Sequence, residues 1–145
     1  MTKKNLSKTS MTRQRVEDLR IFVIVPETVQ VDLEGHLETI SMPSGRLMAQ
    51  AAHVVSRMRV TFASTFKGVP ITTIVYGVRN SRELAKLQRE LWAIESDKPL
   101  LRTVAFYDKD YTFYGTGFDV LTAVCTTPVL REQVDDILGH LELAK

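Results

Sequence analysis

Apolar and polar positions fall into blocks along the chain, and the changes of period mark the elements. Leu19 to Val25 (LRIFVIV) is a short unbroken apolar run, rich in β-branched residues and ended by Pro26, which predicts a strand buried on both faces. Residues 26–41 lose that regularity. They carry Glu27, Asp32, Glu34 and Glu38 with the breakers Pro26 and Gly35, and read as a loop or surface insertion. After Pro43-Ser44-Gly45 the period turns helical, from Arg46 to about Phe66. Leu47, Ala51, Val54, Met58 and Phe62 make an apolar stripe, and Arg46, Gln50, His53 and Arg57 share a polar one. Gly68 ends the stretch.

Val69 to Val78 (VPITTIVYGV) predicts a second strand, and Asn80 with Glu83 has the spacing of a capping box opening a helix whose buried face is Leu84, Leu87, Leu91 and Ile94. Leu100 to Tyr107 predicts a third strand, residues 108–119 a polar and aromatic loop, and Val120 to Thr126 a fourth strand. Thr127-Pro128 suits an N-cap followed by the first helical position. Leu130, Val134, Ile137 and Leu138 face inward on a last helix that Gly139 ends. Strand–helix–strand units favour right-handed crossovers and parallel pairing, while the third and fourth strands, joined without a helix, can pair antiparallel. The predicted fold is α/β: a three-layer domain with a four-stranded mixed β-sheet flanked by helices, spanning residues 18–145 behind a tail at 1–17.

Charge sharpens that division. Residues 1–15 carry Lys3, Lys4, Lys8, Arg13 and Arg15 and no acid, a charge of +5; against a net +2 for the whole chain, residues 16–145 come to −3. A basic, Ser/Thr-rich tail of this kind is expected to be disordered, either as a solvated leader or as a segment that touches nucleic-acid phosphates. The 145 residues, 44% hydrophobic and 25% charged, suffice for one core. No apolar run approaches the roughly 20 residues of a membrane span, and no apolar segment follows the N-terminal lysines as in a secretory signal, so the expectation is a cytoplasmic protein without a membrane partner. Cys125 is the only cysteine and His36, His53 and His140 are scattered, so the sequence suggests neither a disulfide nor a metal site, and no fingerprint of a cofactor is present.

Three stretches carry candidate chemistry. Ser44 and Gly45 lie where backbone N–H groups point outward from a helix start, and Arg46 adds a cation, an arrangement suited to a phosphate or carboxylate; an ordinary helix start with an exposed arginine has the same letters. Gln50, His53 and Arg57 lie on the same helical face as Arg46. Gln50 could hydrogen-bond a ligand or the backbone, and His53 reads first as a packed, hydrogen-bonded residue. Asp108 and Thr112, expected just beyond a strand end, sit where ligands gather in open α/β sheets. Asp108 could orient a cation or act as a base, and Thr112 could orient a water; a charged turn is the plainer reading.

Together and in this order, the segments resemble the type II peptidyl-tRNA hydrolase family. Gly45, Ala49, Gln50 and His53 match its Gly-Lys-Ile-Ala-Ala-Gln-x-x-His helix start, with Arg46 at one lysine position and Ser44 at the other. Asp108 and Thr112 fit its Asp-Ala-Gly-x-Thr motif, Gly117 fits the glycine of the following turn, and Val134 to Leu143 resembles its C-terminal segment. The resemblance covers about residues 19–145. It implies a homodimer that hydrolyses the ester of peptidyl-tRNA without metal or cofactor, with Arg46, Asp108 and Thr112 as catalytic residues and Ser44, Gly45, Gln50, His53 and Gly117 holding the substrate. Beside Ser44, four positions depart from the pattern. Arg46 replaces a titratable lysine, Lys109-Asp110 replaces Ala-Gly, and Val120 stands where the family has a threonine. These departures, with the acidic body, leave open a member that binds a small anionic ligand or a protein partner without catalysis.

Overall fold

The computed structural model describes residues 17–62 and 70–144; residues 1–16 of the basic tail, the end of the expected long helix at 63–66, Gly68 and Val69 lie outside them. The strands are β1 (Arg20–Leu33), β2 (His36–Ser41), β3 (Thr72–Asn80), β4 (Thr103–Thr112), β5 (Asp119–Thr126) and β6 (Glu142–Leu143), and the helices α1 (Ser44–Thr61), α2 (Ser81–Ile94) and α3 (Arg131–Leu138). The sheet has six strands, not four, in the order β4-β5-β1-β3-β6, with β2 paired to β1. As the connections predict, β1 and β3 run parallel and β4 and β5 antiparallel.

Residues 26–41 are a β-hairpin, not a loop. β1 runs through Pro26, and β2 returns along it from Leu33↔His36 to Thr28↔Ser41. The proline is tolerated because β1 changes partner there: β5 pairs it at Val23 and Ile24, β2 takes over at Thr28, and Pro26 falls between the two ladders. The turn is Glu34-Gly35, both at positive φ (54° and 84°), the handedness a two-residue hairpin needs, and Asp32 Oδ1 accepts from Gly35 N–H at 2.8 Å. The sixth strand comes from the C-terminal segment, where Glu142 and Leu143 pair with Gly77 and Tyr76.

β1 is central, and its alternation feeds two cores. Ile21, Val23, Val25, Val29 and Val31 pack against Leu47, Ala51, Val54 and Met58 of α1. Phe22 and Ile24 face Leu84, Leu87 and Leu91 of α2 and Val134 and Leu138 of α3. Each fully buried Val, Leu, Ile, Phe or Met side chain among them contributes about 1.5–3 kcal/mol of transfer free energy. The layers are therefore helix, sheet, helices, with α1 alone on its face.

Helix ends refine the sequence reading. Asn80 Oδ1 accepts from Glu83 N–H at 3.0 Å as expected, but Glu83 Oε2 reaches Arg79 N–H, one residue earlier. Thr127 does not cap α3. Its hydroxyl ties Arg102 N–H and Leu100 C=O across the chain, and α3 starts after Leu130, whose N–H donates to Gln133 Oε1. Gly139 does end α3, at φ −63°; a Cβ there would lie 2.5 Å from Asp135 O.

Candidate functional site

Asp108 lies within β4, opposite Val120 of β5, and not in a loop beyond a strand end. β4 is an edge strand, so its outward positions are polar (Lys109 and Asp110 are exposed), and this makes 108–112 resemble a turn in sequence. Asp108 is 6% exposed and faces α1. There the polar stripe of α1 meets it. Arg46, Gln50, His53 and Arg57 line one cleft of about 460 Å³ with Phe106, Asp108 and Lys109.

The polar centre is a connected chain. Gln50, 3% exposed, donates from Nε2 to Asp108 Oδ2 at 2.7 Å, and Thr122, fully buried, donates from its hydroxyl to Gln50 Oε1 at 3.1 Å. Arg46 Nη2 donates to the same Asp108 Oδ2 at 3.1 Å, and Asp110 N–H donates to Oδ1 at 2.9 Å. The Arg46 guanidinium also lies over the Tyr111 ring, 4.8 Å from its centre, with Asp110 Oδ2 at 3.8 Å. That second pair is weak, since Asp110 is 81% exposed. Arg46 Nε is buried without a hydrogen-bond partner.

Burial alone would push the Asp108 carboxyl up. The Asp110 N–H, the Gln50 amide and the Arg46 guanidinium, by hydrogen bonding and by the charge of Arg46, outweigh it and hold the group below its ordinary value of 3.8. Asp108 is thus an anion throughout the neutral range, with both oxygens engaged. Such a carboxylate anchors a cation well and accepts a proton poorly. Farther along the cleft the exposed His53 ring stacks on Phe106, centroids 5.1 Å apart and planes 18° from parallel, and Arg57 follows one turn later. His53 thus stacks on Phe106 but is exposed on the cleft, which meets the expectation of a packed, hydrogen-bonded residue only in the ring contact.

The remaining expected site residues are elsewhere. Ser44 and Gly45 form the exposed first turn of α1 and do not line the cleft. Thr112 pairs with Asp119 beyond an irregularity in the β4–β5 ladder, half-buried and outside the cleft lining, and Gly117 lies in the exposed turn between those strands. The position expected to carry a hydroxyl, Val120, is packed in the core. The hydroxyl that does enter the network is that of Thr122, two residues on, which sequence reading missed; Phe106 and Tyr111 were missed with it. No group of three or more His, Cys, Asp or Glu able to hold a metal ion occurs among the described residues. A second cavity, about 510 Å³, lies between β3, α2 and the C-terminal segment. Its ionisable lining (Glu27, Arg79, Glu83, Lys86, Glu90, His140 and Glu142) is exposed or half-buried, with no buried charged network like that at Asp108.

No helix among the described residues is long and apolar enough to cross a membrane. No protein-family model matches the chain, and no curated protein matches it. Among solved structures the chain is similar to a protein of unknown function, Atu0240 from Agrobacterium tumefaciens strain C58, at 14% identity and a TM-score of 0.52, over 88% of this chain and 98% of that one. At that identity the likeness is one of fold.

Proposed function

We propose that the cleft between α1 and β4 binds a small anionic ligand, a carboxylate or phosphate, through Arg46, on a domain that resembles a type II peptidyl-tRNA hydrolase. The observation that carries this reading is how Arg46 is held. Asp108 and the Tyr111 ring fix its guanidinium at the cleft, and it spends a single nitrogen, Nη2, on both neighbouring carboxylates. A guanidinium restrained in this way loses little entropy on accepting an anion and keeps its Nη1 end uncommitted for it. Arg57 and Lys109 leave the lining with three cations, Arg46 among them, against Asp108 and Asp110.

Ester hydrolysis is the second reading, supported by the meeting of Gln50 and Asp108, two residues on which the resemblance rests, with Arg46 at one of the family's lysine positions. In that reaction water attacks the ester carbonyl, the bond to the ribose oxygen breaks, and a peptide carboxylate and a free hydroxyl result. A committed Asp108 and an apolar residue at 120 favour binding over this chemistry. Calorimetric titration of the purified protein with inorganic phosphate and an N-acetyl amino acid, beside a peptidyl-tRNA release assay, separates the two. The expected result is saturable binding that Arg46→Gln loses, with no release above buffer. Release that Asp108→Ala abolishes would overturn the binding reading in favour of the hydrolase.

A further inference from the structure

The apolar alternation of β5 has one interruption. Leu121 and Val124 face the α2 side, and Val120, Ala123 and Cys125 the α1 side. Thr122 should then face neither Gln50 nor α1 in a regular strand that already places Ala123 there. The ladder shows why it does. Phe106 pairs with Ala123 and Tyr107 with Leu121, so Thr122 is skipped: it is the extra residue of a β-bulge. The bulge turns a fully buried hydroxyl onto the α1 face, 3.1 Å from Gln50 Oε1.

We propose that Thr122 is the positioning residue of this cleft: its hydroxyl pairs the Gln50 oxygen turned away from Asp108, so the amide is held at both ends and keeps that carboxylate aimed at Arg46. The two ends of a glutamine amide have nearly the same shape and opposite hydrogen-bonding character. An ionised Asp108 only accepts, so the NH₂ end must face it, and Oε1 is left pointing into the core. Thr122 donates to that oxygen. Without the hydroxyl, the orientation that still donates to Asp108 buries an unpaired Oε1, and the other sets Oε1 against a carboxylate; the amide is no longer held at both ends, and its grip on Asp108 loosens. A partner behind the residue that contacts a ligand commonly changes affinity by about 10-fold or more when removed from metal sites, and a neutral hydrogen bond acting through an amide should be worth somewhat less.

The inference rests on the reading that Arg46 and Asp108 form the ligand site, and the test keeps the two apart. In the full chain, Thr122→Val removes the hydroxyl at constant shape, and Thr122→Ser keeps it; Thr122→Ala serves if the added methyl of valine blocks folding. The side-chain carboxyl of Asp108 is followed by ¹³C NMR against pH without ligand, and inorganic phosphate binding by calorimetry. Thr122→Val should move the Asp108 titration up toward the ordinary carboxylate range and weaken phosphate binding by about 3- to 10-fold, while Thr122→Ser leaves both near wild type. An unmoved Asp108 titration in Thr122→Val, or the same loss in Thr122→Ser, overturns the proposal. A moved titration with unchanged phosphate affinity upholds the positioning role and removes the ligand reading instead.

Discussion

Replacing Asp108 by asparagine keeps the volume of the side chain and removes its charge, which makes it the cleanest probe of the buried network. The carboxylate accepts from Gln50 and Arg46 on Oδ2 and from Asp110 N–H on Oδ1. Asparagine has one oxygen. Turned toward Gln50 and Arg46, it sets its own NH₂ against Asp110 N–H; turned the other way, it sets NH₂ against two donors. The better orientation still loses the backbone bond and weakens the Gln50 bond, and a hydrogen bond to a charged group is worth about 1.5–3 kcal/mol. The Arg46 pair adds under about 1 kcal/mol, because that side chain is 36% exposed, and relief from burying a charge works in the opposite direction. The net expectation is a loss of about 2 kcal/mol at pH 7, or about 4–8 °C in Tm for a chain of this size. The sign with pH follows from the lowered Asp108 value. A depressed carboxyl contributes stability that is complete above the unfolded value and is lost as pH falls through the folded one. Asparagine does not titrate, so the gap between wild type and Asp108→Asn should close as pH is taken from about 5 toward 2. Urea unfolding of both proteins across that range measures it. A gap below about 0.5 kcal/mol at pH 7, or one that stays constant into acid, would refute the network as described.

Other expectations concern the frame around the site. Gly35→Ala puts a Cβ on a residue at φ 84° and should cost about 1–2 kcal/mol, seen in chemical denaturation, with the amide shifts confined to residues near the β1–β2 turn. Asn80→Ala removes the acceptor for Glu83 N–H and should cost about 1 kcal/mol, whereas Asn80→Asp should keep most of it in the same measurement. Cys125 is fully buried, its Sγ 3.6 Å from Val54 O, and desolvation pushes its thiol up to about 12. A disulfide reagent at pH 8 should therefore leave the native protein untouched and label it stoichiometrically in urea; fast labelling of the folded chain would contradict the packing.

How much of this was legible depended on where local pattern and tertiary context agree. The meeting of Arg46 and Gln50 on one helical face follows from their spacing of four, and both faces of β1 follow from its unbroken apolar run. The hairpin was hidden by Pro26, read as a strand end because sequence does not show that β1 exchanges one partner for another at that point. Its signal was present nonetheless, in Val29-x-Val31-x-Leu33 before a two-residue Glu-Gly turn. Asp108 reads as a loop residue in sequence because an edge strand tolerates charge on its open side. Thr122 could not be found from sequence. A bulge reverses the inside–outside alternation by one residue, and nothing in the letters VLTAVCT says where that reversal falls.

The partner exchange on β1 also bears on the order in which the chain can assemble. Leu33 pairs with His36 across two residues, while Val23 of the same strand pairs with Cys125, about a hundred residues away. By loop-closure entropy the second contact costs roughly 3–4 kcal/mol more than the first before any contact rewards it. The distal half of β1 can thus fold within microseconds as a hairpin, whereas the proximal half pairs with β3, about fifty residues on, and on its other side must wait for β5 near the far end of the chain. One strand therefore hosts both the fastest and the slowest pairing of the sheet. Pulse-labelled hydrogen exchange should protect the amides of the β1–β2 hairpin before that of Ile24, which faces β5, and the cleft, which needs β5 in place, should form late.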